Sequence, residues 1–231
     1  MITIAVDAMG GDIGLSVTVP ASVAFLERQN DVKLLMVGDE AKLQAALKSV
    51  NAPMDRISVI HASEVVDMDE DPRNALRHKK DSSMRVAINQ VKEGLAEAAV
   101  SAGNTGALMA TAKFVLKTID GIERPAIAKF LPTSDGGLTC VLDLGANIDS
   151  TPEHLLQFAI MGSQLVQAVN PQVKSPRVGL LNIGSEEIKG NSTVKEAYQY
   201  LQNSQLNFIG NVEGDDTFSG EVEVIVADSL A

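Results

Sequence analysis

The stretch "EAAVSAGNTGALMATAKFVLK" (97–117) changes pattern in its middle. Up to Ala102 it is a short apolar run. From Gly106 onward Leu108, Met109, Ala112 and Leu116 recur at helical spacing. This predicts a strand over 97–102, a tight loop at 103–105 and a helix from Gly106 to about Lys117. The glycines have two readings. They supply a turn that other residues avoid, or they bare N–H groups at a helix N-terminus for an anion such as phosphate.

The same unit repeats along the chain. Strands are expected at 3–8, 33–38, 56–62, 97–102, 126–131, 138–144, 177–183, 206–210 and 221–228, several of them apolar at consecutive positions, as in strands covered on both faces. Helices are expected after Asp39, from near Asp81 to a stop at Gly94, from Thr151 with Pro152 in its first turn, and over 191–204. Alternation of this kind predicts an α/β fold, with an open, largely parallel sheet and helices on both faces. The chain reads as a single α/β catalytic domain over 1–231, with a possible lobe boundary near 120–138, where the rhythm breaks. Its last strand ends without a covering helix, as expected of the front part of a longer chain.

Composition narrows the chemistry. The 231 residues carry a formal net charge of −11 and 3% aromatics without Trp, which argues against nucleic-acid partners. A single cysteine, Cys140, excludes an internal disulfide and fits a reducing cytoplasm; its setting reads as a packed structural thiol. The three histidines share no ligand spacing, so no metal is expected. No membrane span or signal peptide is apparent, and the expected location is cytoplasmic.

Four strands end in glycine with small polar or charged residues: "DAMGGD" (7–12), "GNTG" (103–106), "GAN" (145–147) and "GSEEIKGN" (184–191). In open α/β sheets ligands gather at such ends, and all four are expected on one rim. Gly10, Gly11, Gly103, Gly106 and Gly145 admit an oxyanion close to the backbone, and Asn104, Thr105 and Asn147 add neutral donors. Lys189 is either a solvated loop lysine or a point charge for phosphate or a charging carbonyl oxygen. Asp7 and Asp143, where strand meets loop, orient amides or lysines or merely cap turns.

A basic run, "DPRNALRHKKDSSMR" (71–85), holds Arg73, Arg77, Lys79, Lys80 and Arg85. It is either a wet surface or a place to reinforce an anion site or dock an acidic protein. No GxGxxG follows a strand, and GxxxxGK[ST] and GxSxG are missing. The chain thus offers anion cradles without a cofactor motif or a covalent nucleophile, and phosphate becomes a substrate in its own right.

The segments "AVDAMGGD", "RHKKDSSMRVA", "VSAGNTGALMA", "GIERPAIA", "LDLGAN", "PEHLLQFAIMGS", "PRVGLLNIGSEEIKGN" and "NFIGNVEG" resemble, in order from residue 2 to about 228, the bacterial phosphate acyltransferases of phospholipid synthesis. The resemblance implies transfer of a fatty acyl group from acyl carrier protein to inorganic phosphate, without a cofactor. It also implies an isocitrate/isopropylmalate dehydrogenase-like fold, a homodimer and peripheral membrane contact in the full-length family. Lys189 falls on the lysine proposed as catalytic there, and the run Arg73–Arg85 suits the acidic carrier. The family's later Asp-Gly-Phe-x-Gly-Asn segment, with an asparagine implicated in catalysis, and roughly the last third of its length have no counterpart here. Two alternatives stand beside this reading: a phosphotransacetylase-like enzyme using acyl-coenzyme A, and a non-catalytic truncated scaffold.

Overall fold

Strands form at all nine expected places, but they pair in two sheets. The computed structural model describes residues 1–147, 149–186 and 189–228. The chain divides into two compact units, Met1–Lys117 and Thr118–Ala231.

In the first unit β1 (Ile2–Asp7), β2 (Val32–Gly38), β3 (Ile57–His61) and β4 (Ala98–Ser101) form a parallel sheet in the order β3-β2-β1-β4. Side chains alternate across it. Leu34 and Met36 meet α1 (Leu15–Arg28) and α2 (Glu40–Ser49) through Val19, Leu26, Leu43 and Leu47. On the other face Ala5 and Val37 pack with Ala87 of α4 (Ser83–Lys92). Around α4 lie α3 (Pro72–His78) and α5 (Thr105–Leu116), joined by Ala75, Met84, Ile88, Ala107 and Val115.

Caps explain most of these helix starts. Asp39 accepts from the Lys42 N–H at 3.1 Å, as expected. At α4 the cap is Ser82, one residue past the expected Asp81, whose carboxylate instead takes the Ser63 N–H at 2.9 Å. Helix α5 starts one residue before the expected Gly106, because the Asn104 side chain accepts from the Ala107 N–H at 2.9 Å. Two helices were not expected. Helix α1 has Gly14 at its cap position, without a side-chain bond, and contains Pro20. Helix α3, capped by Asp71, has only seven residues.

The second unit holds β5 (Ala128–Pro132), β6 (Leu138–Leu142), β7 (Arg177–Leu181), β8 (Asn207–Val212) and β9 (Val224–Val226), ordered β5-β6-β9-β7-β8. Only β5 runs antiparallel, joined to β6 by a hairpin in which Thr133 N–H donates to the Gly137 carbonyl at 3.1 Å and Gly136 has φ +85°. Helices α6 (Pro152–Val169) and α7 (Ser192–Gln202) both pack on the face carrying Leu142, Leu180 and Val224, around the fully buried Phe158. Helix α6 lies so close that a Cβ at Gly162 would stand 2.6 Å from a Val224 methyl. Its start is fixed by a reciprocal cap: the Thr151 N–H donates to His154 Nδ1 at 3.0 Å and the His154 N–H to Thr151 Oγ1 at 3.3 Å.

Candidate active-site rims

The single expected rim is corrected to two, one on each unit, because the strands that end in glycine belong to different sheets. In the first unit β1 and β4 are parallel neighbours, and their register sets Asp7 opposite Ser101. Asp7, 2% exposed, accepts from the Gly10 N–H at 3.1 Å and from the Ser101 hydroxyl at 2.7 Å. The Ser101 oxygen in turn accepts from the Gly103 N–H at 3.0 Å. A Cβ at Gly10 would come within 2.6 Å of the Asp7 carboxylate and 3.1 Å of the Gly103 nitrogen, so the residue must be glycine for the two loops to meet. Asp7 thus orients amides, and Ser101, which the sequence reading missed, relays it to the second loop.

This wiring decides which donors are available. The N–H groups of Gly10 and Gly103 are already engaged. So is the Asn104 side chain, which caps α5 and donates to the carbonyls of Met68 and Glu70, each at 2.9 Å. What remains at the α5 N-terminus is the exposed Thr105 with its hydroxyl, and the first-turn N–H groups of Thr105 and Gly106, which have no partner one turn back. Gly106, exposed, sits beside the start of α3: a Cβ there would stand 2.9 Å from Pro72. Gly11, φ +90°, turns the chain against Ala102.

In the second unit Asp143, 1% exposed, follows β6 and organises the "GAN" loop. It accepts from the Ile127 N–H at 2.9 Å, and from the N–H and side-chain amide of Asn147 at 2.7 and 2.8 Å. The Asn147 amide also donates to the Pro125 carbonyl at 2.9 Å. Asn147 is therefore tied into the loop, its amide hydrogens spent. Lys189 lies after β7, in the "GSEEIKGN" stretch, of which Glu187 and Ile188 lie outside the described residues. Asn182 donates to the Lys189 carbonyl at 3.1 Å, and Asn191 caps α7 while its amide donates to Asp228 at 3.1 Å. The backbone around Lys189 is thus pinned, whereas its exposed ammonium has no ion-pair or hydrogen-bond partner among the described residues. A charge with no partner among the described residues is available to a ligand.

The basic run separates into two kinds of residue. Lys79 donates to the Val65 carbonyl at 2.6 Å and pairs with Glu70 at 3.2 Å and Asp67 at 3.8 Å, so the expectation of a free docking charge there is corrected. Arg85 donates to the Leu76 carbonyl at 3.1 Å and lies over the Phe114 ring. Arg73, Arg77 and Lys80 are exposed. Cys140 is fully buried on β6, and burial pushes its thiol up to about 11, a poor nucleophile at neutral pH. Among the described residues no helix is long and apolar enough to cross a membrane.

A family model described as fatty acid synthesis protein matches residues 2–231. A phosphate acyltransferase of Neisseria meningitidis serogroup C is 65% identical over 230 residues, which cover 100% of this chain and 66% of that relative. Phosphate acyltransferases of Chromobacterium violaceum and Legionella pneumophila strain Paris are 61% and 57% identical, covering 99% of this chain and 66% and 67% of theirs. The chain therefore spans about 66% of the length of these relatives. Among solved structures, a phosphotransacetylase from Streptococcus pyogenes aligns with a TM-score of 0.69 at 17% identity, over 99% of this chain and 78% of that one. The EutD phosphotransacetylase from Staphylococcus aureus gives 0.67 at 18%, with the same coverage. A 4-hydroxythreonine-4-phosphate dehydrogenase from Burkholderia phymatum gives 0.57 at 16%, over 99% and 80%. At such identities these likenesses speak for the fold.

Proposed function

The chain belongs to the fatty acid synthesis protein family, and from that premise we propose that it transfers a fatty acyl group from the thioester of acyl carrier protein to inorganic phosphate. A phosphate oxygen attacks the thioester carbonyl carbon, the C–S bond breaks, and the carrier thiol leaves with the proton that phosphate gives up. The products are acyl phosphate and free carrier thiol. Phosphate is itself the nucleophile, which suits a chain whose one thiol is buried with a raised pKa.

The observation that carries the reading is the Lys189 ammonium, exposed and without a partner among the described residues, on a backbone position whose carbonyl is held by Asn182. Its role is to neutralise charge on the tetrahedral oxyanion or on phosphate, an electrostatic contribution that grows where water is excluded. On the first unit the α5 N-terminus offers an anion such as phosphate a place of its own, with the Thr105 hydroxyl and two first-turn N–H groups that have no partner among the described residues, where the helix dipole favours negative charge. Asp7 and Asp143 hold their loops in shape and touch no reactant. The test is acyl phosphate formation by the full-length protein from acyl carrier protein and from acyl-coenzyme A. Turnover confined to the coenzyme A donor overturns the carrier-protein reading, and no phosphate-dependent turnover with either overturns the reaction.

A further inference from the structure

The three helices α3, α4 and α5 pack on one another and contain no Asp or Glu, in a chain that has 30 acidic residues. The N-termini of α3 and α5 are different in character. The acidic segment Asp67–Asp71 lies there, with Asp71 capping α3 and the carbonyls of Met68 and Glu70 held by Asn104 of α5. The carboxylates of Asp67 and Glu70 are answered by Lys79. Positive charge left unanswered collects toward the C-terminal ends of α3 and α5, where Arg85 from the first turn of α4 joins it.

At that end the cations are organised around one aromatic ring. Phe114, on the third turn of α5, is 53% exposed and carries a cation on either hand. The Arg85 guanidinium lies 5.3 Å from its ring centroid and the Lys117 ammonium 4.8 Å. Arg85 also donates to the Leu76 carbonyl, which ties α3, beside Arg77, to the same ring. Lys113 stands one turn before Lys117, exposed like it. Neither cation on the ring has a carboxylate partner among the described residues. The result is an exposed apolar ring with two cations on it and a third one turn away, the combination of an apolar centre and charged surroundings that suits a docking surface.

We infer that this face, centred on Phe114 and formed by Arg77, Arg85, Lys113 and Lys117, docks an acidic protein surface whose carboxylates surround an apolar side chain. Charge complementarity selects the occupant. A bilayer or a nucleic acid is an extended polyanion and must also meet the rest of a chain of net charge −11, whereas a compact acidic protein meets this face alone. The inference rests on the proposed function, in which acyl carrier protein is the acidic partner, and moves its docking centre from the Arg73–Arg85 run to the α5 helix.

The test titrates fluorescently labelled acyl carrier protein with the full-length protein at about 25 mM and about 300 mM salt. Wild type binds, and more weakly in high salt. Lys113→Glu with Lys117→Glu weakens binding by roughly tenfold or more at low salt and flattens the salt dependence. Phe114→Ala weakens binding while keeping the salt slope, and Phe114→Leu recovers part of the loss. These residues are exposed, and melting curves check that each variant is folded. Carrier binding unchanged in both the lysine and the Phe114→Ala variants overturns the inference, as does wild type that fails to bind. Phosphatidylglycerol vesicles replace the carrier in a second arm; variant-sensitive vesicle binding with indifferent carrier binding overturns it too. Phosphate-dependent acyl transfer by wild type from a small acyl thioester, run in parallel, reports on the reaction independently of the docking face.

Discussion

Lys189 and Thr105 differ in what they risk when changed. Lys189 is exposed and its ammonium has no partner among the described residues, so Lys189→Ala removes charge without opening a core. Acyl phosphate formation should fall by roughly 100- to 1,000-fold with melting unchanged; near-normal turnover by a folded variant removes Lys189 from the mechanism. Thr105→Val keeps size but loses a hydroxyl, and should raise the phosphate KM roughly tenfold, equivalent to about 1.4 kcal/mol, with the acyl-donor KM little changed. A matched rise in both constants would show that Thr105 shapes the site as a whole. Reading such residues from sequence has a physical limit. The types were legible, since glycines and small polar residues after strands point to a rim. Their obligations were not, because partners lie far along the chain: Ser101 reaches Asp7 across 94 positions, and Asn104 reaches Glu70 across 34.

Among elements, α5 depends on a cap that serves two purposes. Asn104→Ala should cost about 1–2 kcal/mol for the cap alone, and more for the lost tether to the 67–70 segment, measured by urea unfolding. No loss of stability would mean that the tether and cap are redundant. The second unit should respond to acid through Glu223 and Asp135. Burial raises the Glu223 carboxyl, but its bonds to Arg177 outweigh this and hold it below the usual glutamate value. The Thr133 hydroxyl and the Gly137 N–H hold Asp135 down likewise. A carboxylate depressed in the folded state stabilises it above the unfolded value, near 4. That contribution is lost as pH falls through the folded value. Melting temperature should thus drop on acidification below about pH 4.5, and Glu223→Gln should lower it at neutral pH while flattening the acid limb. Strands were legible because β-branched runs are local signals. Helix α1 was not, because Gly14 gives no side-chain cap and Pro20 reads as a breaker. Helix α3 was hidden in its own charge run. The β5–β6 hairpin carried a signal that went unread, Asp135-Gly136, a dipeptide suited to a turn with positive φ.

At the scale of the molecule, periodicity cannot say which strands pair, and the two sheets became visible only in the fold. The first unit has its own core, built from residues no later than Lys117. Residues 1–117 expressed alone should therefore unfold cooperatively, as judged by denaturant titration; a broad, non-cooperative transition would refute an independent core. The second unit is different in one respect. Its strand β9, Val224–Val226, sits in the middle of the sheet, hydrogen-bonded to β6 on one side and β7 on the other. Order along the chain then becomes order in time. A ribosome adding roughly 5–20 residues per second can release the first unit to fold while the second still lacks its central strand, for on the order of 5–20 s. Throughout that interval β6 and β7 wait with open edges, exposed to wrong partners, so the nascent chain's demand on chaperones should be concentrated while the second unit is being made.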